Sequence, residues 1–405
     1  MPKIVTDEKL INELLERGVE QIYPDKELLK KKLIGGESIR LYCGFDPSAD
    51  SLHIGNAIAI NKLSQFQDLG HEVIFLIGDF TGTIGDPADK SATRKKLTRE
   101  EALKNAKDYQ DQAGRYLKFD GENPAVVKYN SKWNDKLTFN DLIELSSNFT
   151  VQQMIQRDMF QKRLKDEKPI HLHEFLYPLA QGYDSVVMDV DLEVGGTDQM
   201  FNMMVGRDLQ RVMNKKEKFV MTLKILADEK GNKMGKSEGN AVFLSEEPKN
   251  MYGIIMSWPD GFITPAFELA TKLPMTEIKD IREKLKSGRA NPRDLKMKLA
   301  FEIVKIIHGE SSAKEAQEYF ISTIQKKELP DEVEEIKVRT GENFSDVLSK
   351  YDLAESKGDA KRKIKQGGVT VDNEKIDLDT KIAKNMEGKV LKVGKKEFRK
   401  IKITE

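Results

Sequence analysis

The chain reads as an α/β protein: a Rossmann-like, doubly wound parallel sheet, then a helical region, then a small basic α+β module. Three observations predict this. Short apolar runs at 39–45, 72–78, 125–129, 187–194 and 218–223 alternate with helical stretches such as 56–69, 98–117 and 197–213, as strands do when helices form their crossovers. Beyond Ser237 the pattern changes, and residues 247–325 are nearly all helical in pattern, punctuated by Pro265, Pro274 and Pro292 and with no convincing strand. From about Arg339 the chain turns basic, with 17 Lys and Arg against 12 Asp and Glu up to residue 405.

Taken in order, residues 6–17 form an amphipathic helix. Asp7 and Glu8 open it, Leu10, Ile11, Leu14 and Leu15 recur at helical spacing, and Gly18 stops it. The run Arg40–Asp46 is the first strand of the wound sheet, and Glu72–Gly78 is nearly continuous in apolar residues, as expected of a strand buried on both faces. Ligands collect at the carboxyl ends of such strands. Asp46, Asp79, Asp86 and Gly195-Gly196 all follow strand runs and are candidates on that ground. The expected division is a catalytic domain over 1–232, a helical domain over 233–335 and a basic module over 339–405.

Length and composition set bounds. With 405 residues and 39% apolar content, the chain can bury a large core divided among two or three domains. Lys plus Arg equals Asp plus Glu at 67 each, so any nucleic-acid site must be a local patch rather than a global field. The single Cys43 excludes an internal disulfide and a cysteine-rich zinc site. The N-terminus has no signal-peptide core and no apolar run is long enough to span a bilayer, so a cytoplasmic protein without membrane partners is expected.

Two short segments carry the first chemical signal. His53-Ile54-Gly55-Asn56 follows a strand and opens a helix, so Gly55 lets a phosphate approach backbone amides at a positive helix end. Lys233-Met234-Gly235-Lys236-Ser237 is a loop with two cations. Alone, each is an ordinary helix start or basic turn. In this order and context they resemble the paired HIGH and KMSKS signatures of class I aminoacyl-tRNA synthetases. Four further runs resemble the tyrosyl-tRNA synthetases of bacterial type: Tyr42 to Asn56, Thr81 to Pro87, His173 to Asp184 and Gly195 to Gln199. The resemblance extends over essentially the whole chain.

That resemblance implies an enzyme that joins tyrosine to ATP as tyrosyl-adenylate and passes it to tRNA(Tyr). Such activation needs positioning and charge stabilisation more than covalent help. It implies that Tyr42 and Asp184 hold the substrate phenol, and that Asp86, Tyr177 and Gln181 cradle its ammonium. Asp46, Asp198 and Gln199 would surround the adenylate and the tyrosine carboxylate. Gly44 and Gly196 would let backbone pass close to ATP, with His53, Ser48, Gly55 and Asn56 on the phosphate and ribose side. Lys233, Met234, Lys236 and Ser237, together with Lys90 and Arg94, would close on the leaving pyrophosphate. Tyr177, Gln181 and Asp184 stand at i, i+4 and i+7, one face of a helix.

Three positions depart from the family pattern. Asn56 stands where the last histidine of HIGH is usual, an amide that can donate but not become cationic. Ser48 stands for threonine and Gly235 for the first serine of KMSKS. The resemblance also implies magnesium accompanying ATP without a dedicated protein cage, a homodimer, and a C-terminal module that binds tRNA phosphates through Lys361, Arg362, Lys363 and Lys365. A tryptophanyl enzyme shares the fold and both signatures, but Tyr42 with Asp184 suits a phenol rather than an indole. A nucleotidyltransferase should lack the tail and the lysine loop, and a non-catalytic RNA-binding descendant has only Asn56 in its favour.

Overall fold

The computed structural model describes residues 3–87, 97–228, 241–325, 334–372, 374–394 and 397–404. Two compact units are present, residues 1–313 and 314–405.

The first unit is organised by a six-stranded sheet. Its strands are β1 (Val19–Tyr23), β2 (Arg40–Phe45), β3 (Glu72–Ile77), β4 (Val126–Tyr129), β5 (Leu192–Gly196) and β6 (Phe219–Leu223), in the order β1-β6-β5-β2-β3-β4. All neighbours run parallel except β1, which pairs antiparallel with β6. Strand order reverses between β2 and β5, which makes the crevice at their carboxyl ends the place for a ligand. Side chains on both faces of β3 and β6 are buried, so their apolar residues need not alternate.

The observed boundaries revise three expected ones. The 187–194 run is not a strand from its start: the helix Tyr177–Met188 continues to Met188, Asp189 turns in the left-handed region at φ 47°, and β5 begins at Leu192. The 98–117 stretch breaks into Arg99–Ala106 and Tyr109–Ala113. Strand β1 is an addition, and it gives an antiparallel edge to a sheet expected to be parallel.

Helix α1 (Glu8–Glu16) is capped by Asp7, which accepts from Leu10 N at 3.0 Å, and buries Ile11, Leu14 and Leu15. Helix α2 (Lys26–Ile34) is capped likewise by Asp25. Helix α3 (Ile54–Asp68) packs against β2, β3 and β5 and is buried along most of its length. The helices Pro248–Met256, Ile263–Ala270, Met275–Lys286 and Pro292–His308 belong to the same compact unit. Arg17 ties one of them down, since its guanidinium donates to the carbonyls of Glu268, Thr271 and Leu273 at the end of the 263–270 helix, satisfying acceptors that helix termini leave open. Buried Lys62 on α3 donates to Leu14 O and Arg17 O, linking α1 to the same junction.

The second unit holds β7 (Glu335–Arg339), β8 (Val369–Val371), β9 (Glu374–Lys375), β10 (Val390–Val393) and β11 (Glu397–Thr404) in the order β7-β11-β10-β8-β9. Its sheet thus starts before Arg339, with β7 running parallel to β11. Helices Phe344–Lys350 and Lys357–Lys365 complete it around a core that includes Val338, Phe344, Leu348, Ile364 and Leu391. Among the described residues no helix is long and apolar enough to cross a membrane.

Candidate active site

A cleft of about 450 Å³ opens at the carboxyl ends of β2 and β5. Its wall includes Tyr42, Gly44, Asp46, Ser48, His53, Gly55 and Asn56 from β2 and the start of α3, together with Asp86 from the turn after Ile84. Tyr177, Gln181 and Asp184 come from the 177–188 helix, and Gly196, Asp198 and Gln199 from the end of β5. Residues far apart in sequence therefore meet in one cavity. Lys90, Arg94, Lys233, Met234, Lys236 and Ser237 lie outside the described residues.

His53 is the N-cap of α3. Its Nδ1 accepts from Gly55 N at 3.1 Å and Asn56 N at 3.4 Å, while Asn56 Oδ1 accepts from His53 N at 3.0 Å, a reciprocal capping box. With Nδ1 an acceptor, the neutral imidazole carries its proton on Nε2, where it is a donor. A Cβ at position 55 would lie 2.8 Å from the His53 ring, so the glycine makes room for the capping imidazole. Asn56 likewise has a structural duty: its carbonyl oxygen closes the cap, which leaves the NH₂ as the end able to donate to a ligand. At Gly44 an added Cβ would meet only Leu76, at an ordinary 3.7 Å, so the fold itself does not require glycine there.

Asp46 accepts from Thr81 Oγ1 at 2.6 Å and from Tyr177 Oη at 2.8 Å. Burial pushes its carboxyl up to about 7 despite those donors, and Asp86 and Asp79 add to the rise. A Cβ on Gly78 would fall 2.0 Å from Asp46 Oδ1, and one on Gly196 would fall 2.4 Å from Asp198 Oδ1, so both glycines clear space for carboxylates. Asp86 accepts from Gln199 Nε2 at 2.6 Å and has Arg157 4.0 Å away. Asp79, in contrast, is structural: it accepts from Ser131 N and pairs with Arg99.

The 177–188 helix turns its i, i+4, i+7 face into the cleft, and Tyr177 and Asp184 are 5% and 1% exposed. Asp184 Oδ1 accepts from Trp133 Nε1 at 2.7 Å and Asn134 Nδ2 at 3.1 Å, and Oδ2 from Asn130 Nδ2 at 3.1 Å. Oδ2 keeps capacity for another donor. Burial pushes Asp184 up to about 8 against the pull of those three donors. Tyr42 is fully buried with its hydroxyl 2.9 Å from Ser185 Oγ.

Several residues around the cleft were not singled out from the sequence. Asn130, Trp133 and Asn134 fix Asp184; Ser185, Glu193 and Lys218 form a buried polar group behind Tyr42; Arg157 lies over the Phe201 ring at 4.8 Å beside Asp86. The signal for Glu193 was a lone carboxylate inside an apolar strand. Lys218 was masked by the charge cluster Lys215-Lys216-Glu217 just before it. In the second unit, the 357–365 helix buries Ala360 and Ile364 and exposes Lys361, Arg362 and Lys365. Arg362 and Lys363 both pair with Asp359.

A family model described as tRNA synthetases class I (W and Y) matches residues 35–325. The tyrosine–tRNA ligase of Thermotoga maritima is 44% identical over 390 residues, 96% of each chain. That of Carboxydothermus hydrogenoformans is 44% identical over 403 residues, 96% of this chain and 97% of its own. The solved tyrosyl-tRNA synthetase of Archaeoglobus fulgidus complexed with L-tyrosine has a TM-score of 0.60 at 20% identity, covering 77% of this chain and all of that one. A C-terminally truncated mitochondrial tyrosyl-tRNA synthetase of Coccidioides posadasii reaches 0.62 at 23% identity over 76% of this chain and 91% of its own. These two structural likenesses are likenesses of fold, and they agree with the wound sheet and its crevice. The chain belongs to the class I tRNA synthetases of the tryptophan and tyrosine family.

Proposed function

We propose that this chain is a tyrosine–tRNA ligase, which activates L-tyrosine with ATP to tyrosyl-adenylate and pyrophosphate and transfers the tyrosyl group to the 3′ end of tRNA(Tyr). The observation that carries the choice of amino acid is the pairing of Asp184 with Tyr42 in the buried wall of the cleft. A phenol donates to Asp184 Oδ2 and accepts from the Tyr42 hydroxyl, whereas an apolar ring would satisfy neither the remaining capacity of Oδ2 nor the Tyr42 hydroxyl on the cleft side. At the other end, an α-ammonium has only donors to offer. Asp86, the Tyr177 oxygen and the Gln181 carbonyl, which is buried without a partner among the described residues, are acceptors for it.

ATP lies against the start of α3 and the Gly195-Gly196 turn. His53 Nε2 donates to its phosphates, Asn56 donates to the ribose or adenylate, Asp46, Asp198 and Gln199 border the adenylate, and the hydroxyl of Ser48 meets the γ-phosphate. Magnesium travels with the nucleotide, held by phosphates and water. Lys233 and Lys236, with Lys90 and Arg94, neutralise the departing pyrophosphate, and Met234 and Ser237 belong to the same motif. The 357–365 helix supplies phosphate contacts to tRNA in the cytoplasm, most directly through Lys361 and Lys365, whose neighbours Arg362 and Lys363 are shared with Asp359.

A homodimer is supported by exposed apolar residues in the stretch after Asp120, above all Phe139, Val151 and Leu172 at 78%, 70% and 78% exposed. The decisive experiment is amino-acid-dependent ATP–pyrophosphate exchange followed by tRNA charging. Exchange with tyrosine and charging of tRNA(Tyr) are expected, and exchange with tryptophan instead would overturn the assignment.

A further inference from the structure

Behind the tyrosine site lies a buried ion pair for which the activation chemistry above has no use. Lys218 and Glu193 are 0% and 2% exposed, with Nζ paired to Oε2. Such a pair generally loses about as much in hydration as it regains by attraction, so stability alone is a weak reason for it. Its contacts lead in two directions. Lys218 Nζ also donates to Ser185 Oγ at 2.8 Å, and Ser185 Oγ is 2.9 Å from Tyr42 Oη. Glu193 Oε1 accepts from Gln181 Nε2 at 3.0 Å. One carboxylate therefore reaches the phenol end and the ammonium end of the site together.

We propose that Lys218, Glu193 and Ser185 are positioning residues that set the hydrogen-bond polarity of the tyrosine site, so that Tyr42 presents a donor and Gln181 an acceptor. This rests on the tyrosine assignment made above. A lysine ammonium can only donate and a carboxylate only accept. Ser185 must therefore receive Lys218 on a lone pair and send its single proton elsewhere. That proton has two acceptors within reach, Glu193 Oε2 at 3.3 Å and the Tyr42 hydroxyl oxygen at 2.9 Å, and Tyr42 is the nearer. With Ser185 donating into Tyr42, the Tyr42 proton turns to the cleft and meets the substrate phenol oxygen.

At the other end, Glu193 can hold Gln181 only through the amide NH₂. The Gln181 carbonyl oxygen is then left for the ammonium, in agreement with its being buried and unpartnered among the described residues. Space for the network is kept by Gly206, where an added Cβ would lie 2.6 Å from Lys218 Nζ and 2.8 Å from Ser185 Oγ. Burial, with Glu193 and Asp184 nearby, holds the Tyr42 hydroxyl pKa well above its ordinary value.

The test uses the full chain and measures kcat and KM for pyrophosphate exchange with tyrosine and with phenylalanine. Ser185→Ala is expected to lower the tyrosine-over-phenylalanine ratio of kcat/KM by about tenfold or more, the scale of one mispaired buried hydrogen bond. The charge-neutral double variant Lys218→Met/Glu193→Gln is expected to lower the ratio similarly and to raise KM for both amino acids, because both carry the ammonium that Gln181 then no longer faces with its oxygen. If the double variant does not fold, Ser185→Ala decides alone. Equal losses for the two substrates, or an unchanged ratio, would assign the network a purely structural role and overturn the inference while leaving the tyrosine assignment standing. A wild-type chain inactive with tyrosine would overturn both.

Discussion

His53 carries two duties on one ring, and they can be separated. Nδ1 caps α3 and Nε2 faces the ligand side, so a residue that caps without a second donor should split stability from catalysis. His53→Asp is expected to keep thermal stability within about 1 kcal/mol, since aspartate is a strong N-cap whose carboxylate has no proton to donate. Adenylate formation should fall about 10²-fold, the scale for losing a transition-state donor. His53→Ala should lose both, and calorimetry beside single-turnover adenylation distinguishes the two outcomes.

Asp184 offers a second residue-scale prediction, through pH. Its carboxyl is raised from 3.8 to about 8 on folding, so between those values the folded chain holds a proton that the unfolded chain has lost. The stability from this group is fully present below pH 4 and is lost as pH rises to 8, at most about 1.4 kcal/mol per unit. Urea unfolding of wild type and Asp184→Asn from pH 5 to 8.5 should show the wild type losing stability relative to the variant. A pH-independent difference would contradict the buried, protonated carboxyl of the empty cleft.

At the scale of elements, the tyrosine site depends on how closely two helices approach. The 177–188 helix and the helix Met200–Asn214 meet at Gly182 and Gly206, where a Cβ on Gly182 would touch Val205 and Leu209 at 3.0 Å. Protein interiors give little at such contacts. Gly206→Ala is expected to cost about 1–3 kcal/mol of stability and to raise KM for tyrosine, because Lys218 and Ser185 must move. Denaturant unfolding with the exchange assay checks both, and an unchanged KM would show that the helices yield without disturbing the site.

At the scale of the molecule, activation and tRNA binding are assigned to different compact units. A chain ending at Gln325 keeps all residues matched by the family model. It should activate tyrosine with nearly normal constants while charging tRNA at least about tenfold less well at limiting tRNA, given the weight of phosphate contacts in such binding. Undiminished charging would remove the tail from the tRNA site. On the proposed homodimer the wild type is expected to sediment as a dimer and Phe139→Asp with Leu172→Asp as a monomer, since two charges would enter an apolar interface.

Much of this was legible in one dimension because it is local. Strands β2, β3, β4 and β6, helix α3, and the glycine-bearing turns at 53–56 and 195–196 are written in apolar runs and in residues whose backbone or capping roles are short-range. Tyr177, Gln181 and Asp184 could be placed on one helix face by counting. Whether that face met solvent or a ligand could not be counted, because burial depends on what other segments bring to it. The same limit hid the partnership of Glu193, Lys218 and Ser185, polar side chains from a strand, a strand edge and a helix that meet only when the sheet and helix pack, and it hid the antiparallel edge strand β1, whose partner lies some two hundred residues away. Sequence by itself determined the wound fold and named most of the groups that line the cleft. Only the tertiary structure decided which of those groups lie within hydrogen-bonding reach of one another, because their partners arrive from distant strands and helices.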